Sequence, residues 1–385
     1  MHWVKTFAEI GKNDAAIAGG KGASLGEMTQ AGIPVPPGFV VTASAFEHFI
    51  AETNLGAEIE SILGTVDSRV TESVERASEK IQELILNDAR AIPKDIESEI
   101  QAAFGTLGAE FVAVRSSATA EDSAAAAWAG QLDTYLNTTE FALLENVKRC
   151  WSSLFTPRAI FYRFEKGLHT TKISVAVVVQ KMVESDASGI AFSVHPVTED
   201  RNQMIIEAGF GLGEAVVSGQ ITPDSYVVTK VPREIIDKNI VEQDTGMFRK
   251  KGGLPGQGGN EWLNIPPEKG KEQAISDAMI LEVAKTVFGI EKHYGFPVDV
   301  EPEPVSAIAR TQQMVETIPS PVPAPVFRAP AMRSAPAVSL DSHEEEEDGR
   351  AFDPLRVPTL LAFSLAGVAL VASQIPYGRI GTVVL

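Results

Sequence analysis

The chain has 385 residues, room for two or three domains, and its 44% hydrophobic and 22% charged residues are the balance of a globular protein. A formal net charge of −18 excludes non-specific nucleic-acid binding, which needs clustered Lys and Arg, so no nucleic-acid partner is expected. The single cysteine, Cys150, permits neither an intrachain disulfide nor a cysteine zinc site. It lies in an apolar helical pattern and reads as a small buried hydrophobe. MHWVKTFAEIGKND lacks the apolar run of a secretory signal, and a cytoplasmic location is expected.

In chain order, Gly19, Gly20, Lys21 and Gly22 read as a flexible turn, followed by a helix over 23–30 with Leu25 and Met28 apolar. A Lys on a glycine-rich loop before a helix N-terminus suits an anion, because N–H groups and the helix dipole favour negative charge there. The alternative is an ordinary surface lysine. A Walker A loop is excluded, since Gly22 follows Lys21 where Ser or Thr is needed. Gly32, Pro34, Pro36 and Pro37 end the helix, and GFVVT at 38–42 reads as a strand. Residues 44–107 are helical in pattern, with Pro93 at a first turn and Gly105 closing that helix.

The stretch 111–136 is the most distinctive. FVAV reads as a short buried strand ending in Arg115, Ser116, Ser117, Thr119, Glu121 and Asp122, a cluster foreign to a core. Arg presents a rigid fork of donors to phosphate oxygens, and the small residues of SAAAAWAG let a ligand approach the backbone. The plain alternative is a strand followed by a polar turn. Residues 133–136 read as a second strand. Residues 140–166 are helical, broken near Pro157, with Leu143, Leu144, Val147, Trp151, Leu154 and Phe155 as the apolar stripe, and Trp151 reads as core.

ISVAVVVQKMV at 173–183 is the strongest strand signal, and Gln180, Met182 and Val183 at its end suit an adenine edge beside an apolar slot. Residues 189–197 and 204–207 read as strands. The GFGLGE that follows is a weak dinucleotide signature, lacking the third-glycine spacing and a clear acidic partner. Residues 224–230 form a further strand and 249–261 a glycine-rich exposed loop. Residues 276–294 are an amphipathic helix with Ser276 as cap and Gly295 beyond its end. It leads into VDVE, where Asp299 and Glu301 share one strand face: a Mg²⁺ clamp beside phosphates, or two solvated acids.

Taken together and in order, GGKGASLGEM, GIPVPPGFVVT, VAVRSSATAED, WAGQLDTYLN, KRCWSSLF, VVVQKMV, GIAFSVHPVT, GFGLGEAVVSGQITPDSYVV and EKHYGFPVDVE resemble a known family. It is the N-terminal nucleotide-binding region of the phosphoenolpyruvate synthase, pyruvate phosphate dikinase and rifampicin phosphotransferase superfamily. Over residues 1–301 the resemblance implies an α+β fold of the ATP-grasp type, with ATP between two α+β subdomains. It implies an ATP-dependent phosphotransferase that passes a phosphoryl group to a histidine on a separate domain, then to pyruvate or another acceptor. The alternative is a truncated relative that binds ATP without turnover and acts as an interaction protein.

By the same resemblance, Lys21 and Arg115 bind the ATP phosphates and carry catalysis. Gly130 and Thr134 line the nucleotide site, and Gln180 with the main chain of Met182 and Val183 holds adenine. Asp299 and Glu301 sit at the phosphates and metal, and Gln313 stands at the position of a second ligand beside Glu301, for ATP with Mg²⁺. The chain also departs from the family pattern. Val315 replaces an Arg, Leu132 a Gln, and SAAAA a more polar loop before Trp128. None of the six histidines, His195 included, sits in the Gly-Gly-x-Thr-x-His context, so the phosphohistidine domain is expected in a separate partner protein.

The expected organisation is 1–185 and 186–316 as the two parts of the nucleotide-binding fold, then a Pro/Ala and acidic linker at 317–356. The apolar segment 357–377, uncharged over its length, is long enough to span a bilayer and is the only route to a membrane. The alternatives are a packed helix or a tail of no selected function.

Overall fold

The structure, a computed structural model, describes residues 2–119, 133–168, 173–183, 185–250, 259–301 and 381–384. The linker at 317–356 and the apolar segment 357–377 lie outside them. No helix among the described residues is long and apolar enough to cross a membrane.

The chain up to Lys181 runs β1 (Val4–Thr6), α1 (Ala15–Gln30), β2 (Gly38–Val41), α2 (Ala43–Glu52), α3 (Leu55–Leu63), α4 (Thr71–Leu86), α5 (Lys94–Leu107), β3 (Val112–Ala118), β4 (Thr134–Thr138), α6 (Glu140–Ser152), α7 (Pro157–Glu165) and β5 (Val175–Lys181). Its strands form one antiparallel sheet in the order β1-β2-β5-β3-β4. The unbroken apolar run of β5 follows from burial on both faces. Val175, Val177 and Val179 pack with Phe49 and Trp151 beneath α2 and α6, while Ala176 and Val178 face Leu25 and Met28 of α1. Trp151 is fully buried with its ring 5.0 Å from Phe49, as a core residue should be.

Three boundaries differ from expectation. The helix read as starting at residue 23 begins at Ala15 and bends at Gly19, whose φ of 68° and ψ of 173° are open to glycine alone. Gly105 lies inside α5, and Gly108, with φ 59°, supplies the left-handed residue that ends it. β3 does not stop at Val114 but runs to Ala118, so the serines read as part of a cluster foreign to a core are core residues, Ser116 at 1% and Ser117 at 0% exposure. Ser116 Oγ lies 3.1 Å from the Asp133 carbonyl and 2.9 Å from Ser153 Oγ. Small hydroxyls with such partners are buried at little cost.

The second part runs β6 (Ala187–Phe192), β7 (Gln203–Phe210), α8 (Glu214–Val217), β8 (Asp224–Thr229), β9 (Glu234–Asn239), β10 (Thr245–Arg249), β11 (Asn260–Asn264), α9 (Pro267–Gly270), α10 (Asp277–Tyr294), β12 (Val298–Glu301) and β13 (Gly381–Val384). Its sheet has the order β13-β12-β6-β7-β8-β9, and β10-β11 stand apart as a hairpin. Ser276 Oγ accepts the Met279 N–H at 3.4 Å to cap α10, and Gly295 ends it at φ 76°. Met204, Ile206, Tyr226, Val228, Val298 and Val300 pack against Ile280, Val283, Val287 and Ile290 of α10, in one cluster with Leu25 and Met28 of α1. The result is a mixed helix-and-sheet molecule, as expected, with a core shared between its two sheets.

The N-terminus is fastened by a charged clamp. The Trp3 ring stacks on His48 at 4.5 Å, its Nε1 donates to Asp95 Oδ2 at 2.9 Å, and His48 Nε2 lies 3.3 Å from the same oxygen. Partial desolvation raises the Asp95 carboxyl, but the Ile96 N–H, the Trp3 indole and His48 outweigh it and hold it below the ordinary carboxylate range. A carboxyl depressed in the folded state contributes stability above its unfolded pKa of about 3.9 and loses it as pH falls through the folded value. Asp95→Asn is therefore expected to flatten the acid side of a melting-temperature profile below about pH 4.

Candidate functional site

Along β3 the side chains alternate. Val112 and Val114 point to the α2–α7 side, so Ala113, Arg115 and Ser117 point to the side of α1. Arg115 pairs with Thr134 of β4 on one flank and Val178 of β5 on the other. Gln180 lies two residues along β5, opposite Ala113 of β3 and Gly38 of β2. Thr134, Arg115 and Gln180 therefore share one face across three neighbouring strands. Gln180 is 2% exposed, and its Nε2 donates to the Pro36 carbonyl at 3.2 Å.

Lys21 lies inside α1, not on the flexible turn expected from its glycines, and the bend just before it is pressed against the same strand. A Cβ at Gly19 would lie 2.1 Å from Ser117 Oγ and 2.4 Å from Ser117 O, and the Gly22 N–H donates to Ser117 Oγ at 3.3 Å. Glycines on both sides of Lys21 thus dock this turn of α1 two residues along β3 from Arg115. The glycine-rich pattern marked the segment, and the contact with Ser117 is the reason for it. Gly19→Ala is expected to cost about 1–3 kcal/mol for the forbidden backbone conformation alone. Denaturant unfolding measures that loss, which the overlap with Ser117 increases.

At the end of β5, Met182 N donates to Phe111 O at 3.0 Å, so this main-chain N–H is engaged within the fold. The Met182 side chain packs with Leu212, Ala215, Met247 and Ile221 in a small apolar cluster beside the passage into β6. Val183 follows it in that connection, partly buried.

On the second sheet, Asp299 pairs with Phe192, and Ile190 of the same strand pairs with Glu207 of β7. Because Val298 and Val300 turn inward to α10, Asp299 and Glu207 lie on the opposite, half-exposed face. Burial pushes the Glu207 carboxyl up from its ordinary value. Sequence reasoning passed over Glu207, although the alternation of QMIIEAGF, with Met204, Ile206 and Ala208 inward, already sets it on the other face. Glu301 closes β12, opposite Val384 of β13. The Glu301 side chain, Gly130 and Gln313 lie outside the described residues. Among the described residues, no group of three or more His, Cys, Asp or Glu is placed to hold a metal ion.

Two surface clefts, of about 470 and 410 Å³, share no residue with this set. One surrounds Lys230 and Glu291, and the other lies between Glu27 and His293.

The sequence matches the family described as pyruvate phosphate dikinase, AMP/ATP-binding domain, over residues 15–302. It is 46% identical over 308 residues to a probable phosphoenolpyruvate synthase of Methanocaldococcus jannaschii, covering 78% of this chain and 25% of that protein. To the probable phosphoenolpyruvate synthase of Archaeoglobus fulgidus it is 47% identical over 301 residues, 77% of this chain and 39% of the other. To the rifampicin phosphotransferase of Bacillus cereus it is 38% identical over 302 residues, 78% of this chain and 34% of the other. The chain thus spans between a quarter and two fifths of the length of these relatives. The resemblance read from the motifs is borne out, and the chain belongs to the pyruvate phosphate dikinase AMP/ATP-binding domain family.

Proposed function

We propose that this chain binds Mg-ATP in an ATP-grasp arrangement, with residues 1–185 and 186–316 as its two subdomains. It acts in the cytoplasm as the nucleotide half of a phosphoenolpyruvate synthase-like phosphotransferase. The observation that carries the reading is the shared face of β4, β3 and β5: Thr134, Arg115 and Gln180 lie on it, with the turn of α1 that bears Lys21 docked against Ser117. Arg115 presents a rigid pair of donors to phosphate oxygens and Lys21 a mobile point charge. Phosphoryl transfer asks mainly for positioning and charge neutralisation, which a cation on β3 and another on the α1 turn docked against that strand would supply. Gly130 and Thr134 line the nucleotide, while Gln180, Met182 and Val183 hold the base, with Leu212 and Met247 completing the apolar slot around Met182.

Asp299 suits a hard cation, because its carboxylate is turned away from the core onto a half-exposed face. Asp299, Glu301 and Gln313 would hold Mg²⁺. When bound, the ion supplies charge neutralisation between phosphate oxygens. The phosphoryl group then passes to a histidine on a separate domain and on to pyruvate or another acceptor. A second reading is a relative that binds ATP without turnover and acts as an interaction protein.

Thermal shift with ATP, with and without Mg²⁺, tests both readings, and no stabilisation would sink both. Incubation with a separately made histidine domain then divides them. AMP release and a labelled histidine are expected for the phosphotransferase, and neither for the non-catalytic relative.

A further inference from the structure

The two sheets are joined through the apolar core around α1 and α10, and a second time by the β10–β11 hairpin, where β5 passes into β6. The second junction is largely polar. Met247 O of β10 accepts the Leu212 N–H at 2.7 Å, and the Met247 side chain packs with Leu212, Ala215 and Met182. Arg249 lies 4.4 Å over the ring of Phe111, the residue whose carbonyl accepts the Met182 N–H.

Between these contacts, Asn260 of β11 reaches both sides. Its Nδ2 donates to Glu214 Oε2 at 2.7 Å, and its Oδ1 accepts from Asn137 Nδ2 at 2.5 Å. Glu214 opens α8 after β7, and Asn137 lies near the end of the edge strand β4. The direction of the relay is settled by chemistry. A carboxylate only accepts, so Asn260 turns its nitrogen to Glu214 and its oxygen to Asn137. Asn137 is 1% exposed and held at φ 52°, which gives the relay a fixed end on the first sheet.

We propose that the β10–β11 hairpin is a strap that fastens the second sheet to the edge of the first, with Asn260 as the positioning residue that sets the gap between them. That this gap governs nucleotide affinity rests on the ATP reading above. Apolar contacts of the shared core resist separation as a block, whereas a few hydrogen bonds near the surface exchange readily with water. The strap is therefore the junction that opens to admit a nucleotide and closes behind it. Its Met247 also forms part of the wall beside Met182, so release of the strap loosens that slot directly.

The relay permits a test by rescue. Asn260→Asp keeps an acceptor for Asn137 but sets a second carboxylate against Glu214. Adding Glu214→Gln restores a donor facing Asp at position 260. Hydrogen exchange at the Leu212 and Met182 amides is followed without nucleotide, and the Mg-ATP dissociation constant is measured by calorimetry. In Asn260→Asp, exchange at Leu212 is expected to quicken and ATP to bind more weakly, each roughly tenfold, while circular dichroism stays that of the wild type. The double variant is expected to return both to within about twofold of the wild type. Unchanged exchange in Asn260→Asp, or a double variant as loose as the single, would overturn the strap. A wild type that binds no ATP refutes the nucleotide reading instead, and the exchange data still decide the strap.

Discussion

Arg115→Ala is expected to remove the stabilisation of this protein by Mg-ATP, weakening binding by about a hundredfold or more. The size follows from what the side chain offers. A guanidinium makes two parallel charge-assisted bonds to phosphate, and such a contact is worth about 3–4 kcal/mol where charge gathers away from bulk water. Arg115 stands between Thr134 and Val178 on the same face as Gln180, next to the docked turn of α1 that bears Lys21, and no other described cation of β3, β4 or β5 lies on that face to replace it. A ligand at a hundred times its dissociation constant stabilises a fold by about 2.7 kcal/mol, and in a variant that binds a hundredfold more weakly that shift should fall to about 0.4 kcal/mol at the same ATP concentration. Arg115→Lys keeps the charge and loses the fork, and an intermediate shift is expected. An undiminished shift in Arg115→Ala would refute the assignment.

The second large effect concerns Asp224, a carboxylate at 0% exposure in the second sheet. Its Oδ2 accepts from Tyr226 OH at 2.8 Å and Ala274 N at 2.7 Å, and its Oδ1 from Val241 N at 3.0 Å. Gln243 Nε2 adds a longer bond at 3.4 Å, while Gln243 Oε1 accepts the Phe210 N–H at 3.0 Å. One side chain thus ties β8, the connections beyond β9 and before α10, and the end of β7. Burial and the neighbouring carboxylate push the Tyr226 phenol above its ordinary range, so Tyr226 stays a donor. Asp224→Ala leaves several buried donors without an acceptor, each at about 1–3 kcal/mol, and a total near 3–5 kcal/mol is expected. Asp224→Asn is expected to lose less, since its carbonyl still accepts while its amide faces donors. Urea unfolding measures both, and a loss below about 1 kcal/mol in Asp224→Ala would contradict the role.

Much of the local architecture was open to reading in the sequence. The amphipathic pattern and Ser276 cap located α10, the break at Pro157 separated α6 from α7, and the apolar run of β5 marked a strand buried on both sides. The motifs around Lys21 and Arg115 also sufficed to place the chain in its family. Elements whose reason lies in distant partners were misread. Ser116 and Ser117 looked foreign to a core because their burial depends on Asp133, Ser153 and Gly22, which no local window contains. Asp224 appeared as one polar position in a strand, since its donors come from residues 226, 241, 243 and 274. The glycine-rich stretch at 249–261 hid Asn260, where β11 begins.

The sequence by itself determined the main helices and strands, the inward and outward alternation along β12, and the family, because periodicity, caps and motif spacing are properties of neighbouring residues. Only the tertiary structure decided which of these residues meet. Strand register sets Thr134 beside Arg115, the backbone of Gly19 lets the turn of α1 that bears Lys21 lie against Ser117, and the packing of Val298 and Val300 on α10 turns Asp299 to the same face as Glu207. Such meetings depend on pairing between strands far apart in the chain and on burial that leaves one face no other direction, which no stretch of sequence expresses alone.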